Sequence, residues 1–95
     1  MTPLQFEWDK AKSRLNQQKH GVSFDKAETA FYDENARLID DPDHWDDEER
    51  FIIMGFSIRL QVLIVCHYYR YGDGAIRTIS AWKADKRETE FYRTR

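Results

Sequence analysis

Cysteine and proline are scarce in this chain and a long apolar run is missing, and each shortage closes off a class of protein. The single cysteine, Cys66, sits inside the apolar stretch VLIVCHYY. No disulfide can form within the chain, and a buried, inert thiol is the expected state, which suits a reducing cytoplasm. The two prolines, Pro3 and Pro42, stand outside the periodic segments, and no repeat or low-complexity linker interrupts them. No apolar run reaches the roughly 18 residues that a membrane span needs, and MTPLQFEWDK has no basic segment followed by an apolar one. The expectation is a soluble cytoplasmic chain with no membrane partner. A Gly-rich phosphate loop, a nucleophile elbow and a Cys-His pair at motif spacing are also missing, which removes the familiar nucleotide-binding and hydrolase classes. His44 among Asp40, Asp41, Asp43 and Asp46 offers no fixed ligand ladder, so it reads as a solvated acidic loop, and neither metal nor other cofactor is expected.

An overall basic excess is lacking too. The net charge is −2, whereas a chain that lives on nucleic acid usually carries surplus Lys and Arg, because neutralising phosphates releases counterions. The charge is nevertheless unevenly placed: Asp40 to Arg50 holds seven acids and one base, while Arg77 to Arg95 holds six bases and three acids. The acidic run is expected to repel phosphate and leave any polyanion to the basic side of the molecule.

What the chain does have is enough apolar material for one core. With 95 residues, 41% of them hydrophobic, and six Phe, five Tyr and three Trp, residues 1–95 form a single domain. LQFEW alternates as a short strand. Asp9 can cap a helix that runs to about Gln18, with Lys19 and His20 at its negative end and Gly21 closing it. The apolar face of this helix is thin, essentially Ala11 and Leu15. Ser23 caps a second helix on which Phe24, Ala27, Ala30 and Phe31 recur at helical spacing. ARLID, RFIIMGF, QVLIVCHYYRY and AIRTISAW read as strands, the last two joined by Gly72-Asp73-Gly74 as a tight hairpin. Asp85 and Glu88 stand at capping-box spacing and open a short basic helix, DKRETEFYR. The order predicts an α+β domain: a small, mainly antiparallel β-sheet packed with two N-terminal helices and a short C-terminal helix.

The chemistry-bearing residues gather on the last strands and the last helix: His67, Arg77, Lys83, Lys86 and Arg87. Such a set suits RNA cleavage by the 2′-hydroxyl, which needs a proton acceptor, a proton donor and fixed cations for the charge growing on the phosphorane. Arg fits the last task because its guanidinium stays charged and binds two phosphate oxygens at once. Tyr69, Tyr71 or Trp82 can stack bases. Each residue also has an ordinary explanation, as a hydrogen-bonded interior histidine, a paired arginine or a solvated helix face. The hairpin register decides whether His67 and Arg77 share a face.

FEWDKAKSRLNQQKHGVSFDKA resembles the N-terminal signature of BrnT-type toxins, F-E-W-D-x-x-K followed by N-x-x-K-H-G-V-x-F-x-x-A. The matching positions are Phe6, Glu7, Trp8, Asp9, Lys12, Asn16, Lys19, His20, Gly21, Val22, Ser23, Phe24 and Ala27. The likeness continues through EERF, the strand from Val65 to His67, the RxIS strand from Arg77 to Ser80 and the KAxxRE segment from Lys83 to Glu88. It implies a RelE-like fold and a metal-independent ribonuclease toxin of a type II toxin-antitoxin system that blocks translation. It further implies neutralisation by a BrnA-like ribbon-helix-helix antitoxin, with which the toxin represses its own operon, operator DNA being held mainly through the antitoxin. On this reading Arg77, His67, Lys83 and Glu49 form the catalytic set, with His67 or Glu49 taking the 2′-proton. Arg87, Lys86, Tyr69 and Trp82 bind RNA, while Phe91, Tyr92 and Arg87 receive the antitoxin. One position departs from the pattern: after ISA the family often has Arg, and this chain has Trp82 followed by Lys83. Either Lys83 takes over that cation's work, or the chain is a weak or silent interaction module kept for antitoxin binding. KHG itself reads as a helix end rather than a catalytic motif.

Overall fold

Local signals set the first half of the molecule. In the computed structural model, strand β1 (Phe6–Glu7) leads into helix α1 (Lys10–His20), then helix α2 (Phe24–Thr29) with a 3-10 turn at Ala30–Tyr32. Strands β2 (Arg37–Asp40), β3 (Phe51–Phe56), β4 (Val62–Tyr69) and β5 (Ile76–Lys83) follow, and helix α3 (Lys86–Arg93) closes the order. The structure describes residues 4–40 and 50–94, so Glu49 and all of the acidic loop beyond Asp40 lie outside the described residues. No helix among the described residues is long and apolar enough to cross a membrane.

The strands form one sheet in the order β1-β5-β4-β3-β2. Every neighbouring pair is antiparallel except β1 with β5, which run parallel. This is the α+β, RelE-like architecture expected from the sequence. The helices α1 and α2 lie on one face, where Val22, Ala27 and Ala30 pack on Ile53, Leu63, Val65 and Ala81. On the other face, Met54, Val62 and Ile64 receive Tyr92 of α3. Strands β3 and β4 are therefore covered from both sides, which explains why FIIM and VLIV are apolar at consecutive positions. The sheet and the helices touch closely at Gly55, where a Cβ would come within 2.4 Å of the Ala30 carbonyl oxygen.

Helix α1 begins and ends where its caps dictate, and Ser23 opens α2, its Oγ accepting from the Lys26 N–H at 3.4 Å. The Asp9 carboxylate accepts from the backbone N–H of Ala11 at 2.7 Å, and Gly21, at φ 74°, returns its N–H to the Gln17 carbonyl. The expected apolar face of α1 is corrected, however. Ala11 and Leu15 point to solvent, Leu15 being 64% exposed, and the buried positions are Ser13 and Asn16. The reason is hydrogen bonding. Ser13 Oγ accepts from the Phe24 N–H at 2.9 Å. The Asn16 amide donates to the carbonyls of Val22 and Ala81, both at 2.8 Å, and its oxygen accepts from the Ala81 N–H at 3.2 Å. Beyond the two-residue β1, the outer edge of β5 thus meets a side-chain amide that pairs with Ala81 as a neighbouring strand would.

The hairpin between β4 and β5 is wider than a tight turn. Arg70 N–H bonds the Ala75 carbonyl at 2.7 Å, leaving Tyr71 to Gly74 as the loop, with Gly72 at φ 100° and Gly74 at φ 73°. Further along, the ladder slips by one residue: Cys66 pairs with Ser80 but His67 pairs with Thr78, so Ile79 is an extra residue, a β-bulge.

Candidate functional site

The register decides which polar side chains meet. Residues directly opposite one another share a face, and on β4 and β5 the pairs are His67 with Thr78 and Tyr68 with Arg77. His67 and Arg77 therefore project from opposite faces and do not form one catalytic pair. The expectation that they work on a common surface is corrected on this geometry.

His67 belongs to the helix side. It is 0% exposed, its ring lying 4.8 Å from that of Phe31 and 5.4 Å from that of Tyr69. Burial lowers its pKa, against the opposing effect of its contact with the Val65 carbonyl. The neutral ring then donates from Nδ1 to that carbonyl at 3.1 Å and turns Nε2 to the Tyr69 hydroxyl at 3.4 Å. His67 thus contacts the surface through Tyr69, whose phenol is itself pushed up by burial.

Arg77 stands on the other side of the sheet among charged neighbours. Strand β1 is held parallel to β5, with the Ile76 N–H donating to the Gln5 carbonyl at 2.8 Å and Phe6 edge-on to Phe31 at 5.1 Å. This pairing sets Glu7 level with Arg77. Glu7 Oε2 accepts from Arg77 at 3.4 Å and also from Arg70, which enters from the hairpin. Asp73 holds Arg70 from behind, through Nε at 3.1 Å and through its second terminal nitrogen. That pairing holds the Asp73 carboxyl at about 2, well below the usual carboxylate range. Phe6, Glu7, Trp8, Asp9, Lys10, Arg70 and Arg77 line an open cleft of about 650 Å³. The result is two guanidinium groups, aimed by carboxylates, at the mouth of a cleft open to solvent. Glu7 and Arg70 were not among the residues expected from the sequence to carry chemistry. The available signal was Glu7 within FEWD, but no spacing rule connects it with a residue 70 positions away.

The remaining expected residues divide between the two faces. Lys83 pairs with Leu63 on the helix side, six residues along β5 from Arg77, a separation of about 20 Å in an extended strand. Trp82 is half-buried against the cluster under α3, with its ring 6.2 Å from that of His20. Lys86 and Arg87 are exposed in the first turn of α3, on the same side of the sheet as Arg77. The capping box that opens this helix is present, Asp85 accepting from the Glu88 N–H at 2.8 Å and Glu88 from the Asp85 N–H at 2.9 Å. Tyr92 is 4% exposed and its hydroxyl donates to Asp33, so it anchors α3 to the sheet and presents no apolar anchor to a partner. Phe91 is 44% exposed, with the Arg37 guanidinium 4.1 Å over its ring.

Comparison with known proteins agrees with this architecture. A search of curated proteins finds no match. Among solved structures, the chain is similar to the crystal structure of the Brucella abortus ribonuclease toxin BrnT. The TM-score is 0.65 at 22% identity, with 88% of this chain and 100% of that one covered, which establishes a shared fold. The family model described as the ribonuclease toxin BrnT of type II toxin-antitoxin systems matches residues 8–88, from just after β1 to the first turn of α3. The chain therefore belongs to the BrnT family of ribonuclease toxins.

Proposed function

We propose that this chain is a metal-independent endoribonuclease that cuts RNA by attack of the 2′-hydroxyl in the cleft between β1 and β5. The observation that carries this reading is the sharing of Glu7 by Arg70 and Arg77 at an open cleft. Glu7 accepts the 2′-proton as the 2′-oxygen bonds to phosphorus. Arg77 and Arg70 balance the charge on the phosphorane, and the 5′-oxygen leaves as it is protonated. Tyr68, across from Arg77 on the same face, carries the hydroxyl nearest in register to supply that proton. Lys86 and Arg87 hold flanking phosphates on the same side of the sheet. Two fixed guanidinium groups supply the positive charge that a metal otherwise brings. Cleavage halts translation. A small antitoxin with a ribbon-helix-helix region neutralises the toxin, and the pair represses its own operon, with DNA held mainly through the antitoxin.

Purified protein incubated with RNA is expected to leave 2′,3′-cyclic phosphate ends, with EDTA making no difference. Loss of cleavage on chelation overturns the metal-independent mechanism. A second reading has an observation of its own: Glu7 and Asp73 already neutralise the two arginines, and Trp82 is packed where the family often has Arg. If the chain binds its antitoxin while RNA survives, it is a silent interaction module.

A further inference from the structure

The β3–β4 turn has a backbone that its sequence does not suit. Ser57 accepts from the Leu60 N–H at 2.9 Å and donates its own N–H to the Gln61 carbonyl at 2.8 Å, so Ile58, Arg59 and Leu60 form a three-residue loop. Such a loop needs its last residue in the left-handed region, where glycine is the usual occupant. Here Leu60 takes φ 59° and is 80% exposed, and Ile58 is 76% exposed. Neither aliphatic side chain is buried by the fold, and the left-handed backbone is strained under a leucine. The turn is nevertheless fixed, because the Ile58 N–H donates to Thr29 Oγ1 of α2 at 3.0 Å.

Cations stand beside this turn. Lys26 donates to Gln61 Oε1 at 2.8 Å, and Lys83 Nζ lies over Gly21, 4.0 Å from where its Cβ would be. Arg59 and Lys26 border a hollow of about 460 Å³ between the turn and the helices, which Asp25 also lines. Among the described residues no carboxylate forms an ion pair with Lys26, Arg59 or Lys83. Burial, Lys83 and Arg59 all lower the pKa of Lys26, as expected where like charges converge.

We infer that the turn Ile58 to Leu60, rimmed by Lys26, Arg59 and Lys83, is the docking surface for an antitoxin segment in which carboxylates are interleaved with aliphatic side chains. The inference rests on the toxin reading above. Exposed aliphatic anchors inside a charged rim are the composition of a protein contact. RNA bases call for aromatic platforms, and among the described residues no aromatic side chain lines the hollow beside this turn. Bound here, the antitoxin leaves the cleft of Arg77 uncovered, so it acts by holding the toxin in a complex whose bulk keeps RNA away.

The test uses the full chain and the purified small protein encoded beside it. Leu60→Gly suits the left-handed backbone, so it folds at least as well as the parent, and Arg59→Glu reverses one charge on an exposed turn. Each variant is expected to weaken the complex by about tenfold or more in calorimetric titration, with RNA cleavage unchanged. Arg59→Glu should also flatten the salt dependence of association. Unchanged affinity in both variants overturns the docking surface and leaves the ribonuclease reading standing. Failure of the neighbouring protein to bind the parent overturns the antitoxin reading and this surface together. If both variants instead lose affinity for a labelled 12-nucleotide oligouridylate, the surface belongs to RNA.

Discussion

The two ends of β5 treat positive charge in opposite ways. At its start Arg77, with Arg70 beside it, is held by carboxylates of the chain itself. At its end Lys83, with Lys26 and Arg59, has no carboxylate paired to it among the described residues. A paired guanidinium is fixed in direction before substrate arrives, which is what stabilising a transition state demands. An unpaired ammonium is poorly placed but uncompensated, which favours a partner that brings the missing anion. One strand thus separates aiming a charge from leaving a charge to be answered.

The strongest way to break this comparison is at its aimed end. Arg77→Ala is expected to lower RNA cleavage about 100- to 1000-fold, with the circular dichroism spectrum and melting temperature nearly unchanged. A folded variant that keeps full activity removes Arg77 from the site. Glu7→Gln sharpens the same point. A proton acceptor lost there reduces the rate by about 100-fold or more, with RNA binding as tight as before or tighter. If cleavage persists and only binding tightens, Glu7 is a clamp for the arginines rather than the base.

The middle of the strand is tested through Asn16. Asn16→Ala leaves the N–H and carbonyl of buried Ala81 without their amide partner, which should lower unfolding stability by on the order of 2 kcal/mol in urea titration. Cleavage by the remaining folded fraction should hold, because Arg77 is aimed from β1 and not from α1.

Acid probes the helix face. His67 has a lower pKa in the fold than in the unfolded chain, so below its ordinary value of about 6.5 the unfolded chain takes up the proton first. Its contribution is complete above that pH and is lost as pH falls toward the folded pKa, at no more than about 1.4 kcal/mol per pH unit. Replacing His67 by Gln should flatten that part of a stability profile while leaving the slope set by the carboxylates at lower pH. The smallest effect is expected at the unpaired end, where Leu60→Gly raises stability by about 0.5 kcal/mol through relief of the left-handed backbone, offset in part by glycine's greater freedom when unfolded.

What the sequence made legible was local. Gly21, Ser23 and Asp85 act within a few residues of themselves, and each does in the structure what its chemistry announces, while Gly72 and Gly74 take the expected positive φ in a loop wider than a tight turn. The apolar runs FIIM and VLIV likewise declared central strands. The site was not legible to the same degree, because it depends on contacts across the chain. Glu7 meets Arg70 and Arg77 only because a two-residue strand docks parallel to β5. Ile79 adds one residue to the ladder, and without that slip a strand of the same length that buries Ala81 would turn Arg77 toward the helices. Asn16 illustrates the converse error: a polar residue in a helix was passed over in favour of Ala11 and Leu15, although its amide does the docking.

That amide also bears on how the toxin keeps to itself. β5 borders only two residues of β1, so a long stretch of its outer side resembles the exposed strand edges along which chains stack into aggregates. By occupying both backbone groups of Ala81, Asn16 interrupts the row of free donors and acceptors that another molecule's strand needs for pairing. Edge-to-edge pairing along β5 is thus opposed by a side chain of α1, which takes up the backbone of the strand before another chain can.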